Sequence, residues 1–477
     1  METIEADGCL LLALPDACLL ALLQCCAATD QRSVLSAARA HSRLHQAAAL
    51  ALRSITAVVT RQEQVDSMVL YLSKHGRHLD SVSIENKGDK GSLSLRLHPA
   101  AAMQLRSWQS KRVSLVGDSL PGVLVPTLTQ LRLEDCYLCD KAAAEALSAA
   151  LSQLPDLEHL SCRGLTHRHK IRGVFRGVYY QFPTAVLQKL QQLTFLELAD
   201  TAFMVPQDSP ILQPLQALTR LVDLRINEEH IAPGYISITA SMLSGAHQLT
   251  RLELAEDYTV EAAVLAGKTR LQHLQLISCT IVETAHDGAA EADVGQLLSY
   301  LQHLQQLTHL NLSGTLWDGV DEDAPHAAGY TALTASSKLQ HLNISECALP
   351  AGAWQHVFPV GRQLPQLREL NITELEKAAG GFISAPEGSR LVSCCPGLQC
   401  LFMQAVQDSA GLLAALGGLS GLRTLHWGDV HACMDADVAE EGLQLVCQLT
   451  GLRELDINLP HYLEDRLVLQ VDICLRI

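Results

Sequence analysis

An eleven-residue stretch, Leu339–Leu349, constrains the fold of this chain more than any other feature. Its sequence, LQHLNISECAL, has apolar residues at the first, fourth, sixth and eleventh positions and a cysteine at the ninth. Leu128–Leu138 (LTQLRLEDCYL) and Leu271–Ile281 (LQHLQLISCTI) fit the same template without a gap. The alternation of Leu342 and Ile344 predicts a short strand with one buried face, and the cysteine position predicts a turn after it.

The template recurs through most of the chain, and this pattern resembles the leucine-rich repeat family. We expect an α/β solenoid with a curved parallel sheet on the concave side and helices on the convex side, because a repeat near 29 residues leaves room for a helix. Residues 128–477 are the predicted solenoid, and residues 61–127 are predicted to be degenerate first repeats. The first leucine of the template occurs at positions 128, 157, 193, 221, 249, 271, 307, 339, 367, 398, 422 and 452.

Segments outside the template carry further structural predictions. The apolar period predicts convex helices over Lys141–Leu154 and Asp293–Leu307. Degenerate repeats are predicted at Leu79–Ile84 and Ser110–Leu115, and Leu467–Ile477 is expected to close the open end of the solenoid. Three long steps between repeats contain insertions, which are expected on loops: 166–183, 282–293 and 318–330.

Composition narrows the range of partners and compartments. A formal net charge of −16 argues against nucleic acid and against anionic membranes as the main partners. Several of the 15 cysteines, including Cys136, Cys279 and Cys347, occupy the template's own cysteine position rather than a disulfide framework. Free buried cysteines predict a reducing compartment, and no credible secretory signal or membrane span is present, so we expect an intracellular protein of the cytoplasm or nucleus.

The N-terminal residues 1–60 form a predicted helical module. Pro15 suits the first turn of a helix, and Thr29-Asp30 offers a cap for a second helix. The segment resembles the F-box, a helical module that binds the Skp-type adaptor of cullin ubiquitin ligases. It departs from that family in having no tryptophan in its second helical stretch. The resemblance implies an adaptor-binding surface made of Leu14, Pro15, Leu19, Leu22, Leu23, Val34 and Leu35.

An alternative interpretation of the N-terminal module is a cap that covers the apolar end of the first repeat. In that case the protein is a leucine-rich repeat interaction scaffold without a role in ubiquitin transfer. A regulator of enzymes, such as a leucine-rich GTPase activator, is a third class, but no sequence feature selects it.

No catalytic motif stands out in the chain, and we expect no enzymatic activity and no cofactor. Candidate metal ligands exist as the pairs His41 with His45, Cys136 with Cys139, and His309 with His341. None of these pairs has the third and fourth ligands that a metal site needs. The acidic stretch 318–323 lacks the order of a calcium-binding loop.

The predicted concave face is the main candidate for target binding. Residues between the inward leucines of each strand point away from the core, so members of one column on adjacent strands lie about 4.8 Å apart. Asparagines at the same position of three consecutive repeats, each followed two residues later by Ser or Thr, form Asn-x-Ser/Thr sequences. These asparagines and the neighbouring histidines make a polar patch. We interpret the patch either as a surface that binds a partner or as ordinary solvent-exposed positions occupied by soluble residues. The candidate residues are Arg225, Glu253, His273, Gln275, His309, Asn311, His341, Asn343, Ser345, Glu369 and Asn371.

The insertion over 166–183 combines basic and aromatic residues in an otherwise acidic chain. It is interpreted either as an ordered loop that covers the edge of the solenoid or as a contact for an acidic peptide. Its candidate contact residues are Arg168, Lys170, Arg172, Arg176, Tyr179 and Tyr180.

Taken together, these features predict a non-catalytic adaptor. The F-box resemblance implies the substrate-recognition subunit of a Skp-cullin-F-box ubiquitin ligase, in which the solenoid binds a target protein and the N-terminal module binds the Skp-type adaptor. Tethering both partners would raise their effective concentration.

Overall fold

The computed structural model divides the chain into two compact units, Met1–Met204 and Val205–Ile477. Both units contain the strands that the template predicts. The structure describes residues 11, 14–88, 93–96, 104–116, 120, 124–139, 141–171, 174–179, 184–200, 213–227, 237–256, 258–283, 294–316, 327–350, 352–373, 375–377, 385–404, 409–428, 446, 449 and 451–457.

Three helices, Asp16–Thr29, Gln31–Ala40 and Ser42–Ala51, form the start of the first unit. The side chain of Asp30 caps the second helix by accepting a hydrogen bond from the backbone N–H of Arg32 at 3.0 Å. The sequence pattern predicted one continuous second helix. The chain instead breaks at His41, whose Nδ1 accepts from the backbone N–H of Arg43 at 3.1 Å and so caps a separate third helix.

The first strand of the first unit, Ser54–Val59, lies within the segment predicted to be helical. It pairs in parallel with Ser81–Asn86 on one side. On its other side the side-chain amide of Gln31 donates to the carbonyl of Ser54 at 3.1 Å and accepts from the N–H of Thr56 at 3.2 Å. A helix residue thus satisfies two backbone groups of the strand.

The remaining strands of the first unit continue this parallel sheet in template register. Trp108 aligns with Leu131, so the repeat here starts at Leu105 and its strand, Ser107–Lys111, begins three residues before the predicted segment Ser110–Leu115. The pattern is hidden because Trp108 and Ser110 stand where the next strand has Leu131 and Leu133. The indole Nε1 of Trp108 donates to Ser110 Oγ at 2.5 Å. The strands after Ser54–Val59 are Ser81–Asn86, Ser107–Lys111, Gln130–Glu134, His159–Arg163 and Phe195–Ala199.

Outside this sheet, the first unit has a second set of strands and several helices. The short strands Ser94–Leu95, Ser114–Leu115 and Tyr137–Leu138 pair in parallel, and the hairpin of Thr166–Ile171 and Val174–Tyr179 extends them. The predicted helix at Lys141 is present as Lys141–Leu151. The other helical elements are Gln62–His75 and the 3₁₀ segments Gly76–His78 and Thr184–Lys189.

The main sheet of the second unit is parallel, and the template predicts each of its described strands. Each inward leucine pairs with the inward leucine of the next strand, for example Leu310 with Leu342 and Leu342 with Leu370. The strands in order are Asp223–Asn227, Arg251–Ala255, His273–Ile277, His309–Asn311, His341–Asn343, Glu369–Ile372, Cys400–Gln404, Thr424–Gly428 and Glu454–Ile457.

The segments that return to the next strand of the second unit are only partly α-helical. The predicted helix near Asp293 is present as Val294–Leu301. Other steps between repeats have 3₁₀ segments in place of an α-helix. The helices are Val294–Leu301, Ala353–Val357, Ala385–Cys394 and Ser409–Leu416, and the 3₁₀ segments are Gln213–Ala217, Ala262–Leu265 and Ala327–Thr334. Short outer strands are Ser237–Ile238, Thr259–Glu261, Thr280–Val282, Ala348–Leu349 and Glu376–Lys377.

A recurring turn follows the strands and explains the cysteine position of the template. Glu346, directly before Cys347, has a left-handed φ of 56°, and the equivalent Ser278 before Cys279 has a φ of 51°. The turn directs the thiol inward, where Cys347 Sγ donates to the carbonyl of Leu312 at 3.0 Å. Thr315 occupies the same position and donates to the carbonyl of Leu276 at 2.8 Å. The position therefore selects small side chains that donate a hydrogen bond.

The leucine layers, the in-register parallel strands and the recurring turn confirm the predicted α/β leucine-rich repeat architecture. The predicted end segment Leu467–Ile477 lies outside the described residues, as do most of the insertion over 282–293 and the acidic stretch 318–323.

Candidate functional site

Two columns of outward-facing side chains cross the sheet of the second unit, and we call them together the polar strand face. The register confirms that the predicted neighbours lie on adjacent strands. One column contains Asp223, Arg251, His273, His309, His341 and Glu369, and the other contains Arg225, Glu253, Gln275, Asn311, Asn343 and Asn371.

The first strands of the polar strand face hold a compensated charge network. Arg225 donates to both carboxylate oxygens of Asp223, at 3.0 and 2.8 Å. Arg251 Nε donates a hydrogen bond to Glu253 Oε1. The carboxylate of Glu253 also lies 3.6 Å from Arg225 Nε and 3.0 Å from His273 Nε2. Burial raises the pKa of Glu253, but the hydrogen bonds from His273 and Arg251 outweigh it and keep that pKa below its ordinary value. Every charge here has a partner on the same face.

Three histidine rings stack along the next strands. The ring centroids of His273 and His309 are 5.0 Å apart, and those of His309 and His341 are 4.1 Å apart. The outer two rings each contact a carboxylate, because His273 Nε2 lies 3.0 Å from Glu253 and His341 Nδ1 lies 3.0 Å from Glu369. The stack is therefore anchored at both ends.

The central ring, His309, is neutral at pH 7. Burial and repulsion from His341, His273 and Arg251 lower its pKa to about 4. The Thr308 hydroxyl uses its single hydrogen to donate to the Gln272 carbonyl at 2.9 Å. The 2.8 Å contact between that hydroxyl and His309 Nδ1 is then a bond donated by Nδ1–H. We assign the lone pair of His309 to Nε2.

The three asparagines share one local geometry. The Oδ1 atoms of Asn311, Asn343 and Asn371 accept from the backbone N–H two residues later, at 3.1, 3.0 and 3.1 Å. Such turns compete with the strand, and the strands His309–Asn311 and His341–Asn343 do end at the asparagine. Turn formation therefore explains why an asparagine occurs two residues before Ser or Thr at these three repeats.

One predicted surface residue faces the interior. Ser345 was expected beside Asn343 on the strand face, but it is buried and its hydroxyl bonds to the Ser313 hydroxyl at 2.8 Å. The strand ends at Asn343, so the alternation that placed Ser345 outward no longer applies. Gln275, His309, His341 and Glu369 all remain partly exposed on the face, as predicted.

The second column continues past the predicted site. Phe402 pairs with Asn371, and its ring stacks on His426 at a centroid distance of 4.3 Å. His426 Nδ1 lies 3.0 Å from Asp456 Oδ2. The period of the template indicated these neighbours, but nothing in the sequence distinguished them from ordinary surface residues.

The basic insertion is a β-hairpin in its described part. Its register pairs Arg168 with Gly177, Lys170 with Phe175, and Arg176 with His169, and Tyr179 pairs with Thr166. Arg172 and Tyr180 lie outside the described residues.

The candidate adaptor-binding residues divide into interior and surface positions. Leu19, Leu23 and Val34 are fully or almost fully buried, so they pack the helical module together. Pro15 and Leu22 are exposed, and Leu14 is half-buried. Leu35 lies within the helix Gln31–Ala40. Close to Leu14, Arg43 donates to its carbonyl and forms an ion pair with Asp16 at 2.6 Å.

Metal binding has no support among the residues that the structure describes, because no three His, Cys, Asp or Glu side chains there are grouped to hold an ion. The rings of His309 and His341 are 12° from parallel, so their nitrogen lone pairs do not converge on one point. None of the helices in the described ranges has the length and apolar character needed to cross a bilayer.

Comparisons with known proteins concern the fold. No protein-family model and no curated protein sequence matches the chain. A leucine-rich repeat protein of Leptospira interrogans has 14% identity and a TM-score of 0.45 over 91% of each chain. An internalin from Listeria monocytogenes has 14% identity and a TM-score of 0.42 over 90% of this chain and 95% of the internalin. The Toll–Spatzle complex of Drosophila has 14% identity and a TM-score of 0.41, with 83% of this chain and 49% of that chain covered.

With 14% identity and TM-scores below 0.5, these similarities carry no argument about this chain. The leucine-rich repeat assignment rests on this chain's own template and strand register.

Proposed function

We propose that the protein is a non-catalytic interaction scaffold that binds a target protein on the polar strand face of the second unit. The histidine stack carries this proposal, because its rings are held in place by Glu253 and Glu369 before any partner arrives. Surfaces that are already ordered lose little side-chain entropy on binding.

The arrangement of charge on the polar strand face also supports protein binding. Asp223 and Glu253 balance the charges of Arg225 and Arg251, and His309 is uncharged at pH 7. A polar face without excess charge suits a protein partner better than a polyanion such as nucleic acid.

A pair of double variants tests the location of the binding surface. Asn343→Arg with His341→Glu adds bulk and reverses hydrogen-bonding character at the centre of the face. Gln302→Arg with His303→Glu makes the matched changes on exposed residues of the turn after the helix Val294–Leu301. Proteins retained from a cell extract are quantified by mass spectrometry.

A target is a protein that the wild type and the turn variant retain and the face variant loses. If the face variant retains the same proteins with an unchanged circular dichroism spectrum, binding lies elsewhere and the proposal fails.

The more specific form of the proposal makes the protein the substrate-recognition subunit of a Skp-cullin-F-box ubiquitin ligase. It is motivated by the F-box resemblance and by a three-helix module that exposes Pro15 and Leu22. The bond of Gln31 to the first strand equally supports a module that only caps the repeats. The two roles are separable by experiment.

Binding of a purified Skp-type adaptor to the full chain distinguishes them. We expect Leu22→Glu, at an exposed position of the first helix, to abolish binding. Leu70→Glu, on the exposed side of the helix Gln62–His75, is the control and should bind like the wild type. If the wild-type chain does not bind the Skp-type adaptor, the N-terminal module acts only as a cap on the repeats.

The basic hairpin is a proposed second contact, suited to an acidic segment of the target. Arg168, Lys170 and Arg176 lie on its paired strands. Replacing Arg168 and Lys170 with alanine should weaken target binding and reduce its dependence on salt. Unchanged salt dependence would remove the hairpin from the binding surface.

Location in the cytoplasm or nucleus is part of the proposal. It is supported by the cysteines in the described ranges, which are free thiols.

A further inference from the structure

Three asparagine side chains on the polar strand face form a row of hydrogen-bond donors, which we call the amide strip. Asn311, Asn343 and Asn371 are register partners on adjacent strands, which lie about 4.8 Å apart. Their Oδ1 atoms are occupied by their own turns. Their Nδ2 groups form no hydrogen bond to any residue within the described ranges. The strip therefore presents three Nδ2 groups as hydrogen-bond donors, while each Oδ1 is engaged by its own turn.

The three strands that carry the amide strip have no lysine or arginine in the two columns. The same holds for the preceding strand, which contributes His273 and Gln275. His309 is neutral and presents a lone pair at Nε2. Recognition of carboxylate or phosphate groups generally uses arginine or lysine. Neutral acceptor groups fit this strip better than anions.

We propose that the amide strip binds an extended, uncharged polypeptide segment through its main-chain carbonyl oxygens. This inference rests on the proposed function and names the chemistry of the target. A main chain supplies carbonyls for the three Nδ2 donors and N–H groups for His309 Nε2. A glycan, whose hydroxyl oxygens also accept hydrogen bonds, is the alternative occupant that the experiment tests.

The triple variant Asn311→Asp, Asn343→Asp, Asn371→Asp removes the donors and keeps the turns. Each aspartate keeps an oxygen for the backbone N–H of the turn and removes the NH₂ group. The control variant Gln302→Glu, Gln305→Glu, Gln306→Glu makes the same amide-to-carboxylate change at three exposed residues of one turn. Both variants add the same charge, so only the position differs.

The probe is a phage-displayed library of random linear peptides selected on the full wild-type chain. We expect selected peptides to bind the control variant like the wild type and to bind the triple aspartate variant about tenfold more weakly or worse, since each hydrogen bond contributes a net of about 1 kcal/mol. Esters substituted for single main-chain amides in the best peptide should weaken binding, because an ester has no N–H and its carbonyl is a weaker acceptor.

Three results would overturn the inference: equal binding to the aspartate variant, no effect of any ester, or strip-dependent binding found only on a glycan array. The variant Asn343→Arg with His341→Glu separates this failure from failure of the proposed function. Peptides that lose binding to it but retain binding to the aspartate variant place the partner on the polar strand face without using the donors.

Discussion

The ring of His309 lies against the ring of His341 with centroids 4.1 Å apart and planes 12° from parallel. If both rings were in the positively charged imidazolium form, their charges would repel each other at this distance. His341 Nδ1 lies 3.0 Å from Glu369 Oε2, whereas no carboxylate contacts His309 among the described residues. The strand register thus places two stacked histidine rings in different surroundings.

Stability should fall as pH falls through the titration of His309. Its folded pKa of about 4 lies below the ordinary value of 6.5, so the unfolded chain binds more protons between these values. We expect a loss of about 1 kcal/mol between pH 7 and pH 4 from this residue, allowing for its partial exposure. Urea unfolding of the wild type and His309→Gln at several pH values measures the difference.

The control for this titration is His303→Gln, at an exposed turn residue. It should keep the wild-type pH dependence. A His309→Gln curve parallel to the wild type would contradict the assignment.

Lys268→Met should stabilise the chain at neutral pH. Lys268 is 3% exposed, and its Nζ donates to the carbonyl of Leu243 at 2.7 Å. Burial lowers its pKa, so the folded state binds protons less readily and wild-type stability rises as pH approaches 10.5. We expect a gain of about 1–2 kcal/mol at pH 7 that shrinks at higher pH.

Thermal unfolding from pH 7 to 10 checks the prediction for Lys268. The carbonyl of Leu243 keeps the N–H of Ala246 as a partner, so the substitution leaves it bonded. The exposed Lys338→Met serves as the control, with little change expected. Destabilisation by Lys268→Met would show that the ammonium group is a net stabilising contact.

Asn343→Ala should destabilise the second unit, and Asn343→Asp should not. Alanine removes the acceptor for the N–H of Ser345, whereas aspartate retains it. The expected difference between the two variants is about 1 kcal/mol in free energy of unfolding, measured by urea titration. Equal stability would mean that the turn does not depend on the side-chain oxygen.

Cysteines should react with iodoacetamide according to their positions. Cys18 and Cys25 are exposed on the first helix, whereas Cys136 and Cys347 are buried. Burial raises the pKa of Cys136 to about 12 and that of Cys347 to about 11, which keeps both thiols protonated and unreactive. Peptide mass spectrometry should find Cys18 and Cys25 modified in the native protein, and Cys136 and Cys347 only in urea. Equal modification of all four without urea would contradict the buried template position.

The template predicted the strands and their register because apolar alternation has a period of two and the leucines recur at matching places. Leu310 and Leu342 pair as expected. Where the alternation is interrupted, prediction failed. Ser345 lies after the turn at Asn343 and faces inward. Trp108 occupies the position of a template leucine, which the leucine pattern does not reveal.

The chemistry of the polar strand face was less predictable than its membership. The period of the template predicted which residues form the columns. It did not predict that each asparagine Oδ1 accepts from the backbone N–H of Ser313, Ser345 or Thr373, or that Thr308 fixes the proton of His309 on Nδ1. These contacts join residues one or two positions apart through geometry that composition does not encode.

The side-chain amide of Gln31 takes the place of a neighbouring strand beside Ser54–Val59. Truncating the helical module would leave the backbone N–H and C=O groups of this strand edge without a hydrogen-bond partner. Exposed sheet edges of this kind pair with other chains and promote aggregation. Loss of adaptor binding after such a truncation would be confounded by self-association. Substitution at Leu22 leaves Gln31 in place, so it alters the module's surface while the sheet edge stays covered.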